Sequence, residues 1–260
     1  MDFKCQKEAL YCLSTYAQSD KHSILIEGPE GCGKTYCAKL YADMLNVSDF
    51  YKVDPGVNEI RDTVDACYKL TNSVVLCIEN LDLGVSAASY AMLKFLEEPL
   101  SNVYIVVTCR NRYKVPDTIL SRSVVCSVSP PTRSDLCEYA LHADAMKLGR
   151  LEPCGLWKCA KTFKDVDILL GMSDLHIKYI QDLSSITKFN RPISDMVWKL
   201  GHFDDNSETP IQLVIRYIMQ VCNSPHIDKC GIDCMRELSS SKIAAHTVLT
   251  KFLFECKYTE

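Results

Sequence analysis

Two rhythms of apolar residues run along the chain, and they separate it into two parts. In the first part short apolar runs stand without alternation: Ile24-Leu25-Ile26, Ser73-Val74-Val75-Leu76-Cys77-Ile78, Val103-Tyr104-Ile105-Val106-Val107-Thr108 and Val124-Val125-Cys126-Ser127-Val128. Unbroken runs rich in β-branched residues predict strands covered on both faces, as parallel sheets require. A further short strand is expected at Tyr51-Lys52-Val53-Asp54, closed by Pro55-Gly56. Between these runs the apolar residues recur at three and four, which predicts helices over 3–18, 36–42, 57–70 and 89–99. Pro99 stops the last of these, because proline disfavours helical geometry in the residue before it. Strand and helix alternate as far as Pro130-Pro131, so residues 1–130 are expected to form a three-layer α/β domain.

Beyond Pro131 only the helical rhythm persists. A helix is expected over 132–148, with Thr132 or Ser134 as its N-cap, and one or two short ones over 155–171. Helical stretches over 174–204 are separated by Asn190-Arg191-Pro192, and 204–210 has the composition of a polar linker. Two more helices are expected over 211–222 and 239–256. The first carries Leu213-Val214-Ile215-Arg216-Tyr217-Ile218-Met219, apolar on more than one side. Such a helix needs a second surface to cover it, either in an oligomer or at the centre of its own bundle.

Composition changes this picture little. Hydrophobic residues make up 47% and charged ones 24%, ordinary globular values, and the net charge is −4. An acidic balance excludes a wholesale basic surface, so any nucleic-acid contact would come from a local patch. No apolar run approaches the ~18 residues of a membrane span, and Met-Asp-Phe-Lys-Cys does not read as a secretory signal, so a cytoplasmic protein with no membrane partner is expected. The fifteen cysteines are odd in number, and many sit inside apolar periodic segments, where a thiol behaves as a small hydrophobe. They are expected to be reduced. Cys222, His226, Cys230 and Cys234 recur every four residues, an interval at which soft ligands could meet a metal. Pro225 and Gly231 are expected to break the single helix that such a site would need.

The chemistry concentrates in Gly28-Pro29-Glu30-Gly31-Cys32-Gly33-Lys34-Thr35, which follows the first strand and opens a helix. Strand, glycine loop and helix in that order give a G-x-x-x-x-G-K-T match its physical meaning. The glycines let backbone N–H groups converge on phosphate oxygens, and the helix N-terminus adds its dipole. Lys34 would neutralise the outer phosphates and the Thr35 hydroxyl would ligate magnesium, which points to ATP and Mg as the cofactors. Glu79 ends the next long apolar strand, where open parallel sheets place ligands, and is the expected second magnesium residue.

From Glu79 to Ser123 the chain resembles, without a gap, the core of bacterial clamp-loader subunits of the gamma/tau and delta-prime type. The resemblance is carried by Ala91-Met92-Leu93-Lys94-Phe95-Leu96-Glu97-Glu98-Pro99, against A-L-L-K-x-L-E-E-P. It is carried equally by Pro116-Asp117-Thr118-Ile119-Leu120-Ser121-Arg122-Ser123, against x-P-x-T-I-L-S-R-C. Val57-Asn58-Glu59-Ile60-Arg61 is similar to the family's V-D-D-I-R. The resemblance implies an AAA+ P-loop domain over 1–130, a helical lid over 131–185 and a helical collar and oligomerisation domain over 186–260. It further implies assembly with other loader subunits, hetero- or homo-oligomeric, acting with a sliding clamp and primed DNA. A four-cysteine zinc module common in bacterial members has no counterpart here, which suggests a trimmed relative such as a phage protein.

Two positions depart from the family. Asn80 stands where the ATPase subunits place the glutamate that orients the attacking water, and an amide does not accept a proton as a carboxylate does. Slow or absent hydrolysis is expected. Arg110 stands at the small polar sensor position, with Thr108 and Asn111 as alternative occupants. Arg122, by contrast, keeps the arginine that such rings reach into a neighbour's nucleotide, the delta-prime pattern of a partner subunit. The resemblance also makes Lys164 the candidate phosphate-sensing residue of the lid. It makes Arg61, Lys94, Arg110 and Arg112, with Lys114 nearby, candidate contacts to a DNA backbone. A helicase loader or defence ATPase sharing the core but not the clamp is the alternative. A P-loop kinase for a small molecule is disfavoured, since such enzymes lack the L-E-E-P and S-R pair.

Overall fold

The computed structural model describes residues 6–19, 22–84, 86–151, 156–174, 177–178, 208–222, 224–240 and 245–257. The chain divides into two compact units, Met1–Thr132 and Arg133–Glu260. None of the described helices is long and apolar enough to cross a membrane.

In the first unit the apolar runs form five strands: β1 (Ser23–Glu27), β2 (Asp49–Val53), β3 (Val74–Ile78), β4 (Val103–Cys109) and β5 (Val124–Ser127). All pair in parallel, in the order β2-β3-β4-β1-β5. Parallel neighbours need crossover connections, and those run through α2 (Lys34–Met44), α3 (Val57–Cys67), α4 (Ser86–Glu97) and the single turn α5 (Asp117–Leu120), while α1 (Lys7–Ala17) precedes the first strand. The side-chain period of two divides the buried strands between two helical layers. Leu25, Val74, Leu76, Ile78, Ile105 and Val107 pack with Ile60 and Cys67 of α3 and Met92, Phe95 and Leu96 of α4. Ile24, Ile26, Val75, Cys77 and Val106 alternate with them and are as deeply buried, and α2 packs on β1, β3 and β4 with α1 beside it. Each fully buried Leu, Ile or Val contributes about 1.5–3 kcal/mol, so these two layers dominate the stability of the unit. Gln6 fastens the chain's start to the end of the sheet: its Nε2 donates to Ser129 O at 2.7 Å and its Oε1 accepts from Ser129 N at 3.2 Å.

The second unit is helical: α6 (Arg133–Leu151), α7 (Phe163–Gly171), α8 (Glu208–Cys222), α9 (Pro225–Ser240) and α10 (Ala245–Lys257), with a 3-10 turn at Leu156–Cys159. Non-helical angles at Asp144 (φ −162°, ψ 90°) kink α6. A capping box opens α7, Thr162 Oγ1 accepting from Asp165 N at 3.1 Å while Asp165 Oδ2 accepts from Thr162 N at 3.0 Å. Asp165, almost fully buried, also accepts from Arg216 of α8 at 3.1 Å. The expected stretches over 174–204 fall almost entirely outside the described residues; of the linker expected over 204–210, residues 204–207 lie outside them, and Glu208-Thr209-Pro210 instead form the first turn of α8.

Two expectations change here. The helix α9 is continuous where Pro225 and Gly231 were expected to interrupt it. Pro225 occupies its first position, where a missing N–H costs nothing, and Gly231 marks a close crossing of α8. A Cβ at 231 would stand 2.3 Å from Met219 Sδ. The apolar sides of α8 are covered within the chain: Leu213, Val214, Ile215 and Ile218 are almost fully buried, alongside Leu238 of α9 and Val248, Leu249, Phe252 and Leu253 of α10. The bundle accounts for that surface, so it no longer argues for an oligomer. His226 Nε2 and Cys230 Sγ stand 3.4 Å apart on α9, but among the described residues no three His, Cys, Asp or Glu side chains gather as a metal site would require. The described cysteines are free thiols.

Candidate functional site

The site is built on the carboxyl ends of β1, β3 and β4. Gly28 N donates to Cys109 O at 3.1 Å and Val128 N to Glu27 O at 2.7 Å, which pins the base of the glycine loop between two neighbouring strands. Only glycine fits at position 28, because a Cβ there would stand 2.5 Å from Val128 O. Gly31 (φ 73°) and Gly33 (φ 97°) take left-handed angles that turn the chain over the sheet and into α2. The first helical bond, Cys37 N to Gly33 O at 2.9 Å, leaves the amides of the first turn without intrahelical partners, as an anion-binding helix start needs.

Lys34 is nearly buried, and its Nζ donates to Gly28 O and Pro29 O, both at 2.8 Å. Two of three protons are thereby used, and the third remains for a ligand. Burial pushes the Lys34 ammonium below its ordinary range, opposed by Cys32, while Arg110 adds to the fall and Asp82 opposes it. The buried Cys32 thiol donates to Pro29 O at 2.9 Å, bracing the turn, and burial raises its pKa against the pull of Lys34.

Thr35 and Glu79 lie 44 residues apart and meet: the Thr35 hydroxyl donates to Glu79 Oε1 at 2.6 Å. The inserted strand β4 separates β1 from β3, yet α2 crosses the sheet as far as β3 and carries Thr35 to it. Donating its proton leaves Thr35 Oγ1 its lone pairs, and Glu79 Oε2 has no partner among the described residues. A hydroxyl oxygen and a carboxylate oxygen are hard donors suited to magnesium. Lys52, from the end of β2, reaches the same Glu79 Oε1 with its Nζ at 3.2 Å. Nothing in the spacing of the motifs had singled out Lys52; its signal was a lone basic residue on a strand neighbouring the acidic one.

Asn80 follows Glu79 in the left-handed region (φ 51°, ψ 49°), and its N–H donates to Thr108 Oγ1 at 3.0 Å. Of the three residues weighed for the sensor position, Thr108 is thus buried against the backbone beside Glu79. Asn111 accepts from Tyr113 N and caps the turn Arg112–Lys114. Arg110 lies on the rim of the glycine loop, its guanidinium 2.9 Å from Glu30 Oε2 and its N–H donating to Asp82 Oδ1 at 3.0 Å. Arg112 is held by Glu27, through N–H to Oε1 at 3.0 Å and Nε to Oε2 at 3.7 Å.

Arg122 stands apart from the loop cluster. Its side chain is 34% exposed, with Nη2 donating to Glu97 Oε1 at 2.8 Å and Nη1 to Thr118 O at 2.9 Å. The L-E-E-P and S-R motifs are therefore joined by an ion pair at the surface of the first unit. Ser123, where the family places cysteine, shares a hydrogen bond of 2.8 Å with Ser23 at the start of β1. Arg61 and Lys114 are exposed, and the side chain of Lys94 lies outside the described ones. Lys164 is exposed on the first turn of α7, in the second unit.

A parallel sheet in this strand order, with a glycine loop after β1, an acidic residue after β3 and a helical second unit, is the architecture of an AAA+ P-loop protein. The structure superposes on a DNA polymerase III gamma subunit-related protein from Thermotoga maritima with a TM-score of 0.60 at 15% identity, covering 96% of this chain and 98% of that one. It superposes on the RuvB Holliday junction branch migration motor of the same organism at 0.53 and 14% identity, covering 94% of this chain and 86% of that one. At such identities the likeness concerns the fold. In sequence, residues 56–132 match the family described as DNA polymerase III, delta subunit. DNA polymerase III subunit tau of Bacillus subtilis is 30% identical over 131 residues, covering 39% of this chain and 23% of tau. Subunit delta-prime of Haemophilus influenzae is 27% identical over 153 residues, covering 52% and 47%. The replication factor C small subunit of Haloarcula marismortui is 27% identical over 129 residues, covering 45% and 40%. The chain thus spans less than half the length of each of these relatives. In fold and in matched motifs the chain is thus similar to AAA+ proteins of the clamp-loader type.

Proposed function

We propose that this chain is an ATP-binding subunit of a clamp loader, assembling with other AAA+ subunits to place a sliding clamp on primed DNA. In this reading the loop amides and Lys34 hold the triphosphate, while Thr35 and Glu79 hold the magnesium ion, whose charge would offset that of the phosphates. The absence of a carboxylate at Asn80 favours a subunit that binds nucleotide and hydrolyses it slowly. Its contribution to turnover would be Arg122, offered to the nucleotide of a neighbour. The observation that carries the proposal is the guanidinium of Arg122, at the surface yet held by Glu97 and Thr118 O, oriented without being buried. We assign the lid to 131–185, with Lys164 as its phosphate-facing candidate, and the collar to 186–260. The DNA contact would fall on Arg61, Lys94 and Lys114 rather than on Arg110 and Arg112, whose charges Glu30 and Glu27 already offset.

The test is reconstitution with candidate sibling subunits and clamps, reading DNA-stimulated ATP hydrolysis. Arg122→Ala is expected to lower the stimulated rate by about 10³-fold or more while nucleotide affinity of this chain stays unchanged. A complex that hydrolyses ATP equally well with Arg122→Ala would refute the finger. Assembly with AAA+ siblings but with no clamp would favour a helicase loader or defence ATPase instead.

A further inference from the structure

Lys52 has no place in the reading so far, yet it shares an oxygen with the residue that would hold magnesium. Its placement follows from register. Lys52 is paired with Cys77, so the side-chain period of two puts it on the same face of the sheet as Cys77 and Glu79. A slip of one residue between β2 and β3 would move it to the opposite face. That face is the one α2 crosses with Thr35, so two groups converge on one oxygen of the Glu79 carboxylate, the Thr35 hydroxyl at 2.6 Å and the Lys52 ammonium at 3.2 Å, both on Oε1, which leaves Oε2 open among the described residues. The backbone holds the acid end from both sides, Glu79 N donating to Val53 O at 3.0 Å and Asn80 N to Thr108 Oγ1 at 3.0 Å.

We infer that Lys52 supplies resident positive charge at the Glu79 carboxylate, so that this site binds a nucleoside triphosphate with little dependence on magnesium. The inference rests on the proposed nucleotide reading of the glycine loop and deepens it. A divalent cation taking Glu79 shares its carboxylate with an ammonium, and like charges at that separation repel. Without the divalent cation the ammonium still offsets the Glu79 carboxylate, so a triphosphate held by the loop and Lys34 meets no uncompensated negative charge there. Lys52 is about half exposed, so solvent and salt moderate both effects without cancelling them. A site bearing Asn80 in place of a water-orienting glutamate loses little by this arrangement, because holding nucleotide does not require the metal's part in hydrolysis.

The experiment titrates a fluorescent ATP analogue into the full chain, with excess magnesium or with EDTA, for the wild type, Lys52→Gln, Lys52→Arg and Lys34→Ala. The wild-type dissociation constants in the two conditions are expected to agree within about threefold, a difference of less than one charge-pair interaction. Lys52→Gln should widen that ratio about tenfold, chiefly by weakening binding in EDTA, the size of effect expected from removing one partly screened charge. Lys52→Arg, which keeps the charge, should keep the wild-type ratio. A wild type that binds only with magnesium, or a Lys52→Gln variant weakened equally in both conditions, overturns the inference while binding that still depends on Lys34 leaves the loop reading standing. Binding unaffected by Lys34→Ala overturns the loop reading and this inference with it.

Discussion

Gly33 carries two demands at once. It ends the loop at φ 97° and provides the carbonyl that begins α2, so the direction in which the helix start faces depends on an angle that other residues adopt at a cost. Gly33→Ala is expected to destabilise the first unit by about 1–2 kcal/mol, the penalty for an L-residue in the left-handed region, read as a lower urea midpoint. A midpoint equal to that of the wild type would mean that the loop relaxes into another path. The pattern G-x-x-x-x-G-K-T made these residues legible because it is local: steric limits and a helix start lie within eight consecutive positions. The partners of Arg110 and Lys52 were not legible, since Glu30 is 80 residues from Arg110 and Glu79 is 27 from Lys52 along the chain. Only β4 ending beside β1, and β2 beside β3, brings these charges together.

Among the elements, strands and helices of the first unit lie close to their expected spans because buried parallel strands need unbroken apolar runs and their crossovers need amphipathic helices. The second unit was harder to read. The helix α9 was hidden by its own Pro225 and Gly231, residues that weaken an isolated helix but suit a first position and a tight crossing. This crossing is testable by a double-mutant cycle. Gly231→Ala should lower stability in the natural background by about 1–3 kcal/mol, because its Cβ would meet Met219 Sδ at 2.3 Å and Cγ at 2.7 Å. Introduced beside Met219→Ala, the same change should instead stabilise, by up to about 1 kcal/mol from helix propensity. Equal effects in both backgrounds would show that the two helices do not press on each other at this point.

Across the molecule, the cysteines act as core residues whose protons matter. Burial pushes Cys77, Cys109 and Cys256 up to about 12 from an ordinary 9.0, and Tyr41 up to about 12 from 10.0. A folded state that holds protons more tightly than the unfolded chain is stable below the unfolded pKa and loses that advantage as the pH rises towards the folded one. Stability should therefore fall from about pH 9 to about pH 12, by up to about 1.4 kcal/mol per pH unit for each such thiol. Urea midpoints followed by circular dichroism at rising pH, under reducing conditions, check this; a midpoint constant through pH 11 would contradict the burial of these groups.

What the amino-acid order alone determined was everything set by neighbours in the chain: the apolar runs that become strands, the periodic segments that become helices, and a glycine loop that turns from a strand into a helix start. The clamp-loader motifs were equally visible, as short strings at fixed mutual spacing. The tertiary structure decided the strand order that inserts β4 between β1 and β3, and with it the meeting of Thr35, Glu79 and Lys52 on one carboxylate. It also decided the ion pair that joins Glu97 to Arg122 and the crossing that makes Gly231 a contact rather than a break. The physical reason is range: periodicity and turn sterics act over a few residues, whereas the partner of a charge depends on which strands lie side by side and in which register.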